Sequence, residues 1–309
     1  MKKLFLIVAI CFATALHVLA QKEFKVAKTN GKLIINNLSN LTIEGYEGKE
    51  IIFTILGKKE TSDPRAQGLS ALSSVGFDNT GVGLSLKENG QNTEISPIES
   101  FVKYKVTVKI PYSVALSIKT TSGSSWSLYQ KDKDSASIVI SNLKSEVDAS
   151  LQYENIKVSN IKGPLSIKTF QGNIESTLTP DFKGPISLIS AYGFIDFTIP
   201  PAAKADLSIS TAYGTLYAPK DLNLTIQEEK QTPEKSRETI TANGSTIVLT
   251  GGDAKTATVI SGSATSLSSS NFSFAGTNLS NGTNIKGSLN GGGEKIILKS
   301  SSGKIYVRK

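Results

Sequence analysis

The sequence predicts an all-β protein built as a β-solenoid, single-stranded or right-handed β-helix-like, with coils of about 21 residues. Three observations lead to this fold class. No long stretch has the 3.6-residue periodicity of an amphipathic helix, several segments alternate apolar and polar residues, and one short sequence unit recurs at a constant interval. A β-sandwich, in which ordinary hairpins produce similar spacing, is the alternative.

Two segments show strand alternation most clearly. Residues 101–110, FVKYKVTVKI, place an apolar residue at nearly every second position and stop at Pro111. Residues 50–55, EIIFTI, are a second such run. Both are rich in β-branched and aromatic residues, so each predicts a strand with one face on a core.

A short sequence unit recurs in the middle of the chain. Its copies are GPLSIKTFQGNI (163–174), GPISLISAYGFI (184–195) and ADLSISTAYGTL (205–216), with looser copies at 114–125 and 294–305. The turn glycines are evenly spaced, because the interval from Gly172 to Gly193 equals the interval from Gly193 to Gly214. A repeat of this length is typical of one coil of a solenoid.

Each copy contains a strand, a turn and the start of a second strand. Two apolar residues flank a polar one and face a core, and a glycine supplies a turn conformation that other residues avoid. A single unit cannot bury its apolar face, so successive units must stack. We therefore expect Leu165, Ile186 and Leu207 to align in one column.

The segment 1–20 resembles a secretory signal peptide. Two lysines precede an apolar run over residues 4–15, and Val18-Leu19-Ala20 suits a signal peptidase. Cleavage would remove the single cysteine, Cys11, and the single histidine, His17. A mature chain of 21–309 would lack a Ser-His-Asp triad, a cysteine nucleophile, a Cys/His zinc site and any disulfide. We expect no cofactor, no metal, and export to the periplasm, the cell surface or the medium.

The charge balance of the mature chain and its division into domains give further expectations. Removing Lys2 and Lys3 from 34 basic residues leaves 32 against 26 acidic ones. The basic residues are scattered, which argues against a nucleic-acid partner. After cleavage no segment is long and apolar enough to span a membrane. We expect a single domain over 21–309, with surface loops at 58–81 and 227–239.

Several segments resemble a known family. They are NGGGEKIILKSSSGKIYVRK (290–309), the repeats above, LTIEGYEGKEIIFTI (41–55) and RAQGLSALSSVGFDNTGVGLSL (65–86). Together they resemble exported bacterial proteins described as putative adhesins, a domain of unknown function related to the GIN-type head domain of auto-transporter adhesins. The resemblance implies an all-β, solenoid-like fold and an exported location. It implies no established reaction and no set of functional residues.

Aromatic residues are the candidate binding residues. Tyr192 and Tyr213 occupy the same repeat position, so stacked coils would place one above the other. Phe170 and Trp126 lie near the same turn of their own units. Such rings present flat faces to sugars. The alternative is an aromatic stack that stabilises the turn, at about 0.5–1.5 kcal/mol per pair.

Glu175 and Asp196 are the candidate catalytic pair, because equivalent positions place them on neighbouring coils. Glycoside hydrolysis needs two carboxylates at a fixed separation. The third copy has Tyr217 there, so no line of acids continues and we expect no enzyme.

The main hypothesis is a non-catalytic, adhesin-like module that binds an envelope glycan, a surface polymer or a protein. The alternatives are a β-helix lyase or hydrolase, and a structural or stress-response envelope protein. The oligomeric state is left open.

Overall fold

A computed structural model describes residues 22–56, 64–99, 104–121, 137–226, 237–242, 245–250, 258–260 and 283–309. The predicted signal peptide, residues 1–20, lies outside these ranges.

Two large sheets contain most of the strands, which are numbered along the chain. Sheet A has the spatial order β1 (Lys22–Ala27), β4 (Glu50–Leu56), β9 (Lys105–Pro111), β3 (Leu41–Tyr46), β11 (Ile138–Ser141), β13 (Ile156–Ile161), β15 (Ile174–Leu178), β17 (Ile195–Thr198), β26 (Ile305–Arg308) and β19 (Leu216–Tyr217). Sheet B has the order β20 (Leu224–Ile226), β24 (Thr283–Leu289), β18 (Ala205–Thr211), β25 (Glu294–Ser300), β16 (Ile186–Ser190), β14 (Leu165–Thr169), β12 (Val147–Leu151), β10 (Ala115–Lys119), β2 (Lys32–Asn36), β8 (Asn92–Pro97) and β7 (Leu84–Asn89).

The remaining elements are small. They are a 3-10 helix at Pro64–Ala66, a hairpin of β5 (Leu72–Ser73) and β6 (Gly76–Phe77), and an antiparallel sheet of β21 (Arg237–Ala242), β22 (Ser245–Thr250) and β23 (Thr258–Ile260). In the described part of the chain, no helix is long and apolar enough to cross a membrane.

The chain coils between the two sheets. A strand of sheet B leads through a turn into a strand of sheet A, and each strand pairs in parallel with its counterpart in the next coil. This connectivity confirms the predicted β-solenoid. The two sheets do face each other across one core, as in the β-sandwich alternative, but a sandwich of hairpins would pair its strands antiparallel. Coil length varies: Leu165 pairs with Val147 on one side and with Ile186 on the other, so the coil that begins at β12 is shorter than the coil that begins at β14.

Apolar side chains form columns inside the solenoid. Leu165 pairs with Ile186, Ile186 with Ile296, and Ile296 with Leu207, and all four are buried. The predicted alignment of the three repeat residues is therefore confirmed. Alternation produces it, because every second side chain of each strand points inward and parallel pairing keeps equivalent positions together.

The order of the coils differs from the order of the repeats. The C-terminal strands β25 and β26 lie between the coil of β16–β17 and the coil of β18–β19. The C-terminal segment over residues 294–308 is thus an internal coil. It fits there because it has the same inward-facing apolar positions as the coils on either side.

Antiparallel strands close both ends of the stack. At one end, β4 and β1 extend sheet A and β7 extends sheet B. At the other end, β24 and β20 extend sheet B. These strands cover coil edges that would otherwise present unpaired backbone groups.

The two predicted loops are described only in part. In the segment 58–81, residues 64–81 contain the 3-10 helix and the β5–β6 hairpin, and Leu69, Leu72 and Phe77 are exposed. In the segment 227–239, the part before Arg237 lies outside the described ranges. Residues 237–239 belong to strand β21 and not to a loop.

Candidate functional site

One corner of the solenoid carries a repeated Ser/Thr-x-x-Gly turn, which joins a sheet B strand to a sheet A strand. The glycine amide donates a hydrogen bond of 2.8–3.0 Å to the hydroxyl three residues earlier. The pairs are Thr169–Gly172, Ser190–Gly193, Thr211–Gly214 and Ser300–Gly303. In addition, the Ser190 hydroxyl donates to the Gly172 carbonyl of the neighbouring coil at 2.9 Å. One side chain thus satisfies buried backbone groups in two coils.

The turn glycines are needed for close packing between coils. We expected a conformation that other residues avoid, but these four glycines have no positive φ. A Cβ on Gly193 would lie 2.0 Å from the Gly172 carbonyl oxygen, and one on Gly303 would lie 1.8 Å from that of Gly193. The backbones of adjacent turns approach so closely that only glycine fits.

Glu154 replaces the hydroxyl in the coil of β12 and β13. This coil has Leu151 at the Ser/Thr position and Glu154 at the glycine position. The buried carboxylate accepts hydrogen bonds from the Thr120 hydroxyl at 2.7 Å and from the amides of Gln152 and Tyr153 at 3.1 Å. The Glu154 carboxylate accepts three hydrogen bonds at this turn. It therefore has the structural role that the Ser or Thr hydroxyl has in the other coils.

The predicted tyrosine stack is interrupted. Tyr192 and Tyr213 do share one column, but Ser302 lies between them, because the C-terminal coil separates their coils. Two coil spacings put the two backbones about 10 Å apart. The two tyrosines therefore lie in one column, as the repeat predicts, but one coil separates them and their rings do not stack on each other. Trp126 lies outside the described residues.

Other aromatic residues make the ring contacts at this corner. Phe170 meets Tyr192 edge to face, with centroids 5.1 Å apart. Tyr306 stacks on Tyr217 at 5.2 Å with an interplanar angle of 11°. Phe194 approaches Tyr306 edge to face at 6.3 Å. We call this surface the aromatic corner; its members are Phe170, Tyr192, Phe194, Tyr213, Tyr217 and Tyr306.

The aromatic corner is open to solvent. Tyr213 is 81% exposed, Tyr192 57% and Tyr217 46%. Rings that served only the core would be covered, whereas a substantial part of each of these three side chains is in contact with solvent. The tyrosines also bring hydroxyl groups that can donate and accept hydrogen bonds.

The two candidate carboxylates lie on adjacent coils, as the repeat predicts, but both are ion-paired. Glu175 lies 3.2 Å from the Lys157 ammonium. Asp196 accepts two hydrogen bonds from Arg308, at 2.6 and 2.7 Å. The hydrogen bond and charge of Asp196 raise the pKa of the Arg308 guanidinium above its usual value.

This pair faces outward from the flat surface of sheet A. The next positions in its column are Tyr306 and Tyr217. A depression lined by Pro200, Leu222 and Leu289 has Lys309 as its single charged lining residue. Within the described residues, no group of three or more His, Cys, Asp or Glu side chains could hold a metal ion.

Three members of the site were missed from the sequence. Phe194, Tyr217 and Tyr306 belong to it because of which coils are neighbours. The looser repeat copy at 294–305 contained a usable signal: aligned with the others, it puts Tyr306 at the position of Asp196 and Tyr217.

The fold and the site define the class as a two-sheet β-solenoid with an exposed aromatic corner. No family model matches the chain, and no curated protein matches it. A similar solved structure is a putative cell adhesion protein from Clostridium sporogenes, which is 11% identical. The alignment covers 93% of this chain and 99% of that one, with a TM-score of 0.41. A likeness this distant does not bear on function, and the link to GIN-type head domains stays a prediction.

Proposed function

We propose that this protein is an exported, non-catalytic binding module of the cell envelope, which holds a glycan against the aromatic corner. The observation that carries the proposal is the set of six aromatic rings on four neighbouring coils, three of them tyrosines with large exposed faces. The rings are set on a rigid frame, so binding would cost little conformational entropy.

Glycan-array binding tests the proposal. We expect the chain from residue 21 onward to bind a subset of glycans, and Tyr192→Ala/Tyr213→Ala to weaken that binding at least about tenfold, or about 1.4 kcal/mol. Phe77→Ala is the matched control, because Phe77 is an exposed ring in the surface segment 58–81, far along the chain from the aromatic corner. Wild-type affinity in the tyrosine double variant would contradict the proposal.

A carbohydrate-active enzyme is the second candidate, and the adjacency of Glu175 and Asp196 is the observation that favours it. Against it, each carboxylate is paired with a cation on an open surface, whereas glycoside hydrolysis needs two carboxyl groups that flank the scissile bond. Activity on a polysaccharide panel decides the question. Turnover that Glu175→Gln abolishes would establish the enzyme.

A structural or stress-response envelope component is the third candidate. The solenoid would then act as a spacer, and no glycan would be preferred on any face. Binding that depends on Tyr192 and Tyr213 would exclude this role.

Export is the part of the proposal that rests on residues 1–20. Cell fractionation with N-terminal sequencing tests it: we expect a mature chain that begins at Gln21 in an envelope or secreted fraction. Exposure to external protease then separates a surface location from a periplasmic one. A cytoplasmic protein that retains Met1 would overturn this part.

A further inference from the structure

Lysines recur on the outer face of sheet B at every second coil. Lys119 pairs with Ser150, Ser150 with Lys168, and Lys168 with Ile189. The column continues through Lys299. We call Lys119, Lys168 and Lys299 the lysine column. Since parallel strands lie about 4.8 Å apart, successive lysines of the column are about 10 Å apart along the solenoid axis.

The lysine column contains no acidic residue between β10 and β18. The positions between its lysines are Ser150 and Ile189, and Ser210 follows Lys299. In the next row of outward-facing residues on sheet B, one carboxylate, that of Asp148 on β12, lies beside the lysine column. The charge of this strip is therefore predominantly positive, which attracts anions.

The lysine column borders the aromatic corner. Phe170 follows Lys168 by two residues and begins the turn directly after strand β14, which ends at Thr169. Phe170 in turn contacts Tyr192. Both surfaces run along the solenoid axis, so one extended ligand can lie against rings and ammonium groups together.

Lys299 is more buried than the other two lysines of the column. Burial lowers the pKa of its ammonium group, because the charged form has lost part of its hydration. Lys119 and Lys168 are exposed and accessible from solvent.

We propose that the glycan held at the aromatic corner is a linear anionic polysaccharide with one acidic group in every second sugar, aligned along the solenoid axis with its acidic groups on the lysine column. This inference rests on the proposed function and adds the chemical class of the ligand. Two sugar units of an extended chain match the distance between successive lysines, and the rings take the sugar faces between the charges.

The test uses hyaluronan, a linear polymer with one carboxylate per disaccharide, and the same polymer after chemical reduction of its carboxyl groups. Titration calorimetry measures both with the chain from residue 21 onward. We expect hyaluronan to bind at least about tenfold more tightly than the reduced polymer, and its affinity to fall as salt is added.

Two matched double variants locate the charges. Lys168→Gln/Lys299→Gln should weaken hyaluronan binding at least about tenfold while leaving binding of the reduced polymer unchanged. Lys49→Gln/Lys183→Gln removes the same net charge from exposed lysines outside the lysine column and should bind as wild type. Circular dichroism of each variant checks that the fold is retained.

Each other outcome overturns the inference in a recognisable way. If both polymers bind equally and Tyr192→Ala/Tyr213→Ala abolishes that binding, the ligand need not be anionic. The inference then fails, and the proposed function is supported. Equal losses in the two lysine double variants, or polyglutamate binding as tightly as hyaluronan, would mean unspecific charge attraction. If neither polymer binds, the inference fails, and the glycan array alone decides the proposed function.

Discussion

Serine and threonine hydroxyls connect the turns of neighbouring coils. Ser190 is the clearest case, since its hydroxyl accepts a bond from the Gly193 amide and donates one to the Gly172 carbonyl, both at 2.9 Å. The site is buried, so water cannot replace a lost partner. The recurrence of Ser, Thr, Thr and Ser in this turn therefore has a specific physical cause.

Removal of this hydroxyl should destabilise the protein. We expect Ser190→Ala to lower the free energy of unfolding by about 1–3 kcal/mol, because it leaves a buried amide without its acceptor. Ser190→Thr is the matched control and should stay within about 1 kcal/mol of wild type, since Thr169 and Thr211 occupy the same position. Urea denaturation measures both. Equal stability of Ser190→Ala and wild type would show that the turn bond contributes nothing.

Substitution of a turn glycine should destabilise the protein more than loss of the Ser190 hydroxyl. Gly303→Ala places a methyl group on the Gly193 carbonyl and should cost at least about 3 kcal/mol. Ser302→Ala changes the preceding, exposed residue of the same turn and should change stability by less than about 0.5 kcal/mol. Thermal and urea unfolding compare the two variants. A tolerated Gly303→Ala would mean that adjacent turns are further apart than the structure shows.

Tyr104 should make stability depend on pH in the alkaline range. Burial raises the pKa of its phenol to about 12 from the usual 10.0, and the charges of Glu99 and Asp78 add to the shift. The folded state therefore binds this proton more tightly than the unfolded state. Its contribution, about 2–3 kcal/mol for two pKa units, is complete below pH 10 and declines as the pH rises toward 12.

Tyr104→Phe isolates this effect. We expect wild type to lose about 2 kcal/mol more stability than the variant between pH 9 and pH 12. Lysine deprotonation affects both proteins alike and cancels in the comparison. Urea unfolding at several pH values is the measurement, and parallel pH profiles would refute the assignment to Tyr104.

At the scale of single elements, short strands with strict alternation make up each coil. Strand β14 reads LSIKT and buries its first, third and fifth residues. Local sequence predicts this, since the period of two is a property of the extended backbone alone. Local sequence does not predict which strands pair with each other, because β12, β14, β16, β18 and β25 share the same inward pattern.

Ile167 tests the packing of these strands. It is fully buried between Ala149 and Leu188, so Ile167→Ala should open a cavity and cost about 2–5 kcal/mol. Lys168→Ala, the adjacent outward residue, should cost less than about 0.5 kcal/mol. Chemical denaturation gives both values. A small loss for Ile167→Ala would place that side chain outside the core.

For the whole molecule, the position of the C-terminal coil is the decisive feature. It separates coils that are consecutive in sequence, and it brings Tyr306 onto Tyr217. It therefore helps to build the candidate site as well as the core.

Cysteine cross-linking tests this order, because the chain from residue 21 onward contains no cysteine. Ser187 pairs with Ile297, so Ser187→Cys/Ile297→Cys should form a disulfide under mild oxidation. Ser187→Cys/Ser208→Cys should not, since two coil spacings exceed the reach of a disulfide. Mass spectrometry after proteolysis identifies the linked peptides. The reverse result would mean that the repeats stack in chain order.

Sequence patterns were sufficient for some features of the site and insufficient for others. They identified Tyr192, Tyr213 and Phe170 at one turn, because aligned repeats reveal equivalent positions. They could not identify Phe194 and Tyr306 as ring partners, since that contact depends on which coils are neighbours. The binding role of all these residues stays a prediction.

By itself the sequence determined the all-β class, the coil repeat, the inward-facing columns and the lack of cysteine and histidine beyond residue 20. Each of these follows from composition or from the alternation of side chains along an extended backbone. Only the tertiary structure decided the order of the coils, and with it the neighbours of every tyrosine at the aromatic corner. Several coils present the same apolar face and the same turn, so local preferences are nearly equal. Closure of the stack by antiparallel strands and the path of the chain select one arrangement.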